Sequence, residues 1–119
     1  MVIEDDESIR QTIALALEIK GYQVISVSDG QEAIHILSKS ERPCLILLDL
    51  MMPVLDGWAF LDELKKMPRE IAEIPIIVVS AFNDRSGKLD QDGEFIPKPI
   101  DLEQLFYVAQ KYCSERRAA

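Results

Sequence analysis

Apolar residues along this chain fall into two alternating patterns. Short runs at Val2-Ile3, Cys44 to Leu48 and Ile76 to Val79 have the length and side chains of strands buried on both faces. Gln23 to Ser28 alternates around Val24 and Val27 as another strand. Glu94 to Pro97 is a fifth, and its proline belongs at a sheet edge because it cannot donate to a ladder. Between these runs apolar residues recur at helical spacing: Ile9, Ile13, Ala16 and Leu17, then Ala33, Ile34 and Leu37. The same spacing returns in Phe60, Leu61 and Leu64 within Gly57 to Lys66, and in Leu102, Leu105, Ala109 and Tyr112. Gly21 stops the first helix where positive φ is cheap. Asp29-Gly30 opens the second helix, which ends before Pro43, and Asp101 with Gln104 opens the last as a capping-box-like pair.

Strand and helix alternate, so the expected fold is α/β. It is a doubly wound five-stranded parallel sheet in the order 2-1-3-4-5, with right-handed crossovers and helices on both faces. The fourth unit departs from regularity. Asn83 to Gly93 holds one aliphatic residue, Leu89, together with Gly87 and Gly93. A helix there has no stripe to dock, so a shortened or irregular fourth helix is expected.

Composition narrows the class. The 119 residues, 48% hydrophobic, suit a single domain over 1–119 with one core. A net charge of -8 argues against direct nucleic-acid contact, because phosphate backbones need clustered Lys and Arg, and Arg116-Arg117 at the tail is no more than a pair. No apolar stretch approaches a membrane span and no signal peptide precedes the first strand, so a cytoplasmic protein without a membrane partner is expected. Cys44 in an apolar run and Cys113 on a helical stripe read as buried thiols of a reducing compartment. A bridge between them is the less expected alternative.

The chemistry sits where the apolar runs stop. Glu4-Asp5-Asp6 follows Val2-Ile3, Asp49 follows Leu45 to Leu48, Ser80 follows Val79, and Lys98 follows Pro97. In an open parallel sheet the carboxyl ends of the strands share one rim, where ligands bind. Carboxylates, a hydroxyl and an ammonium gathered there suit a divalent cation and a phosphoryl group. Each residue also has an ordinary reading: a solvated helix start for the acidic run, strand ends for Asp49 and Ser80, a surface lysine for Lys98. Two details favour the sharper reading. Asp49 directly follows four aliphatic residues, and Lys98 is confined between two prolines.

In their order, Val2-Ile3-Glu4-Asp5-Asp6, Leu48-Asp49-Leu50-Met51-Met52-Pro53 with Asp56-Gly57, Val79-Ser80-Ala81 and Pro97-Lys98-Pro99 resemble the receiver domains of bacterial two-component response regulators. These are chemotaxis-Y-like proteins of flavodoxin-like fold, and the resemblance covers nearly the whole chain. It implies a phosphorylation-activated signalling switch rather than an enzyme, one that catalyses only its own phosphoryl transfer and dephosphorylation. Asp49 would be the phosphoacceptor, and Mg²⁺ or Mn²⁺ would bind Asp5, Asp49, the main-chain carbonyl of Met51 and, through water, Glu4. Lys98, the Ser80 hydroxyl and the main-chain N–H of Ala81 would meet the phosphoryl oxygens. Ser80 and Phe95 would form the switch pair, and the Lys98-Pro99 bond would be cis. Asp6 would point to solvent at the start of the first helix.

The implied partners are a sensor histidine kinase or histidine phosphotransfer protein, a downstream protein, and, as a candidate, a second copy of the chain. Met51 and Phe82, which cannot orient an attacking water, imply a long-lived phosphorylated form. The interval from Ser80 to Lys98 is shorter than the family pattern. Two alternatives stand beside the switch. One is a phosphatase of the haloacid-dehalogenase type, which needs a second acid two residues after its nucleophile where this chain has Met51. The other is a receiver-like binding module that signals without phosphate.

Overall fold

The computed structural model describes residues 1–39, 42–49, 57–80 and 93–118. Its elements are β1 (Val2–Ile3), α1 (Glu7–Ile19), β2 (Ser26–Val27), α2 (Gly30–Leu37), β3 (Ile46–Leu48), α3 (Gly57–Lys65), α4 (Arg69–Ala72), β4 (Ile76–Ser80), β5 (Gly93–Pro97) and α5 (Leu102–Ala118). The strands form one sheet in the order β2-β1-β3-β4-β5. Every neighbouring pair is parallel, and β5, with Pro97, lies at the edge.

Side-chain alternation divides the core between the two faces of the sheet. Ile3, Ile46, Leu48, Ile76 and Val78 face α2, α3 and α4, where they meet Ala33, Leu37, Phe60, Leu64 and Ile71. Val2, Leu45, Leu47, Ile77, Val79 and Ile96 face α1 and α5, where they meet Ile13, Leu17, Leu105, Val108 and Ala109. Phe60, Leu37 and Leu105 are fully buried, each contributing roughly 1.5–3 kcal/mol of transfer free energy. Packing on both faces fixes the strand register, and the register fixes which residues reach the rim.

The helix ends follow their local chemistry. Asp6 caps α1, its side chain accepting from the Ile9 N–H, and Asp29 caps α2, accepting from the Glu32 N–H. Gly21 ends the first helix with φ of 97°. Asp101 does cap α5, but its carboxylate accepts from the Glu103 N–H at 2.9 Å.

Four details differ from the sequence reading. Strand β2 is confined to Ser26–Val27, although Val2 N–H already bonds the Ile25 carbonyl at 2.8 Å. Leu102 is 41% exposed rather than buried, because it occupies the first turn of α5 and the inward stripe begins at Leu105. A four-residue helix, α4, follows Pro68; so short a segment carries no periodic signal. Finally, Cys44 and Cys113 are not thiols but a disulfide, with Cα atoms 5.4 Å apart across 69 residues of sequence. The inward stripe of α5 sets Cys113 against the lead-in to β3, a long-range contact that no local pattern encodes. The irregular fourth helix expected between Ser80 and Lys98 falls mostly on residues 81–92, outside the described residues.

Candidate functional site

The turn after β1 brings Glu4 and Asp5 to the carboxyl-terminal rim of the sheet, and the end of β3 brings Asp49 beside them. The two strands are direct neighbours, with Ile3 in register with Leu48 and the Asp49 N–H bonded to the Ile3 carbonyl at 3.0 Å. One oxygen from each of Glu4, Asp5 and Asp49 lies within 4.8 Å of the others. Glu4 and Asp49 are buried at 2% and 5% exposure, whereas Asp5 is exposed.

Lys98 enters from the end of β5. Its ammonium lies 2.7 Å from Glu4 Oε1 and 3.4 Å from Asp49 Oδ2. The longer contact is a hydrogen bond donated by Lys98. The shorter one is an ion pair without hydrogen-bond alignment at Oε1. Burial pushes the Glu4 carboxyl up to about 7, against the pull of Lys98 and with the help of the Asp49 charge. Burial alone would lower the Lys98 ammonium, but the bond and charge of Glu4, joined by Asp49, hold it above the ordinary lysine range. The bond between Lys98 and Pro99 is cis.

Two supports were not legible in the sequence. Arg10, within α1, donates to the Glu4 carbonyl at 2.8 Å and reaches the Asp5 carbonyl at 3.5 Å, which fixes the turn carrying both acids. The Asp6 N–H donates to Glu4 Oε2 at 3.2 Å. Asp6 itself is exposed at the helix start, as its position suggested. An arginine six residues beyond an acid has no sequence signature for this role.

The structure thus brings Glu4, Asp5, Asp49 and Lys98 together. The backbone of Ser80 ends β4 opposite Pro97, one residue before Lys98, and Phe95 pairs with Val78. Phe95 is half-buried and packs against the core on the α2 to α4 side. Met51, Ala81 and Phe82 lie outside the described residues. An all-oxygen donor set with excess negative charge, partly buried and open at Asp5, fits a hard divalent cation.

The family model for the response regulator receiver domain matches residues 1–110, and the chain belongs to that family. A probable transcriptional regulator ycf27 of Porphyridium aerugineum is 40% identical over 109 residues, covering 88% of this chain and 43% of the relative. The response regulator MprA of Mycolicibacterium vanbaalenii is 34% identical, covering 88% and 46%. The chain therefore spans less than half the length of these curated relatives. Among solved structures, the receiver domain of the Francisella response regulator 1452 superposes with a TM-score of 0.81 at 28% identity, covering 97% of this chain and 95% of that one.

Receiver domains act in phosphorylation-dependent signalling, and that is the class of this chain. The sheet order expected from the sequence is the one observed. Among the described residues, no helix is long and apolar enough to cross a membrane.

Proposed function

We propose that Asp49 accepts a phosphoryl group and that the resulting aspartyl phosphate is the signal. The observation that carries this is a buried carboxylate at the sheet's ligand-binding rim, held 3.4 Å from a lysine ammonium and grouped with Glu4 and Asp5. An Asp49 oxygen attacks phosphorus, the bond from phosphorus to the donor breaks, and the leaving group takes the electron pair and a proton. With a phosphohistidine donor that bond is P–N and the leaving group is imidazole. The protein's part is positioning and charge neutralisation, because phosphoryl transfer leaves little covalent work for side chains.

Asp5 and Asp49 would hold Mg²⁺ directly, Glu4 through water, and the Met51 carbonyl would complete the protein share; Mn²⁺ has the same preference for oxygen. The cation would supply neutralisation of the phosphoryl oxygens. Lys98 approaches those oxygens as a point charge, with the Ser80 hydroxyl and Ala81 N–H as further donors. Ser80 and Phe95 would relay the change, Phe95 turning into space that Ser80 vacates.

The partner this reading supplies is a histidine kinase or histidine phosphotransfer protein, with a protein downstream and a second copy as a candidate. The domain over 1–119 would act as a switch in the cytoplasm, with no turnover beyond its own phosphorylation and reset. The dehalogenase-type alternative is disfavoured by Met51 at its required acidic position and by the receiver family match. A module that signals without phosphate is disfavoured because the acceptor, metal and lysine positions are all filled.

The test is intact-mass measurement with acetyl phosphate and Mg²⁺. One phosphoryl adduct, abolished by EDTA and absent from Asp49→Asn, is expected. The same adduct on Asp49→Asn would overturn the assignment.

A further inference from the structure

A second chemically distinctive place lies at the opposite rim, where the amino-terminal ends of the strands open onto a cavity of about 600 Å³. Its wall includes Tyr22, Val24, Leu45, Ala109 and both cysteines of the Cys44–Cys113 bridge. Cys44 is half-buried in the lead-in to β3, while Cys113 is 5% exposed on the inward stripe of α5. The bridge therefore ties β3, which runs up to Asp49, to α5, which follows Lys98. It fastens β3 to α5 at one rim, while at the other the residue that follows β3, Asp49, meets Lys98, which lies four residues before α5 begins.

We propose that Cys44–Cys113 is a thiol–disulfide exchange site, opened by this cavity to small-molecule thiols of the glutathione class, with Cys44 the sulfur attacked. Exchange needs a thiolate to reach a disulfide sulfur, and a bridge sealed in a packed core offers no such approach. This one borders open space of the size that holds small ligands, roughly 300–1,000 Å³, and of its two residues Cys44 is the more exposed.

The thiolate bonds to Cys44 Sγ, the Sγ–Sγ bond breaks, and Cys113 leaves as a thiolate that takes a proton. A second thiol then attacks the mixed disulfide at its small-molecule sulfur and frees Cys44. In sum, two small thiols are oxidised to one disulfide as the bridge is reduced to two protein thiols. Opening the bridge unties α5 from β3 and returns chain entropy to the unfolded state that the closed loop withheld. The inference does not depend on the reading of Asp49.

The test is incubation of the folded chain in graded mixtures of reduced and oxidised glutathione, acid quenching, alkylation and mass analysis. A reversible titration between bridged and dithiol forms without denaturant is expected, with amide exchange in α5 rising several-fold in the dithiol form. In oxidised glutathione, Cys113→Ser should take one glutathionyl group on Cys44. Cys44→Ser should react at Cys113 on the order of tenfold more slowly, reflecting its burial. A wild-type bridge that opens only in denaturant, thiols that stay free at every ratio, equal reactivity of the two cysteines, or α5 exchange indifferent to redox state would overturn the proposal. The wild-type titration needs no variant, so a substitution that fails to fold leaves the test intact.

Discussion

The ammonium of Lys98 lies 2.7 Å from Oε1 of Glu4, a carboxylate with only 2% of its surface exposed. Two residues separated by nearly the whole sheet thus form a charge contact at the rim where Asp49 sits. Among the described residues, Glu4 and Asp49 share the Lys98 ammonium, so that contact alone does not neutralise the two carboxylates. That imbalance underlies the first two predictions.

Removing Lys98 takes from both buried carboxylates the ammonium they share. Lys98→Ala should destabilise the metal-free domain by about 1–3 kcal/mol at pH 8. At pH 6 the loss should be smaller, because a protonated Glu4 no longer needs the charge. Urea unfolding at both pH values checks this, and an equal loss at the two would contradict it.

Glu4 also gives the domain a signed pH dependence. Its carboxyl is raised from 4.5 to about 7 in the folded state, so between those values the folded protein holds a proton that the unfolded chain has released. Stability from this group is present below the lower value and is lost as pH rises through the upper one. Other carboxylates contribute with their own signs, so the comparison is with Glu4→Gln. In EDTA, wild type should lose stability relative to that variant between pH 5 and 8; a constant difference would remove Glu4 as the source.

A divalent cation should relieve the same repulsion. At tenfold its Kd, Mg²⁺ should add about 1.4 kcal/mol and raise Tm by a few degrees. Asp5→Ala should lose that response while melting near the wild-type temperature in EDTA, since Asp5 is exposed. An undiminished Mg²⁺ shift in Asp5→Ala would exclude it as a ligand.

Asp6 should behave in the opposite way. Its side chain caps α1 through the Ile9 N–H at 3.1 Å, so Asp6→Ala should cost about 1 kcal/mol and keep the full Mg²⁺ shift. Loss of the shift in Asp6→Ala would mean that the two neighbouring acids do not divide their roles this way.

Much of this was legible in the sequence because it is local. Ile76 to Val79 reads as a buried strand from its β-branched run, and Gly21 reads as a helix stop from its conformational freedom; both are observed. Asp49 and Lys98 were legible as rim residues because each directly follows an apolar strand. What depends on distant contacts was not. The pairing of Cys44 with Cys113 needs α5 docked on the sheet, and which of the clustered acids is raised depends on the burial of Glu4 beside Asp49, which outweighs the pull of Lys98. Leu102 fits the helical spacing of its neighbours yet lies outward, because periodicity marks a face and not where along the helix that face meets the sheet. The short α4 lies below the length at which periodicity carries information.

The central claim is that phosphate is carried on the Asp49 carboxylate, and borohydride trapping tests it most directly. An aspartyl phosphate is reduced to homoserine, so protein treated with acetyl phosphate and Mg²⁺, reduced with borohydride and digested, should show homoserine at position 49 and nowhere else. The conversion should vanish when the donor is omitted. Homoserine at position 5, or none despite a phosphoryl adduct on the intact protein, would contradict the account.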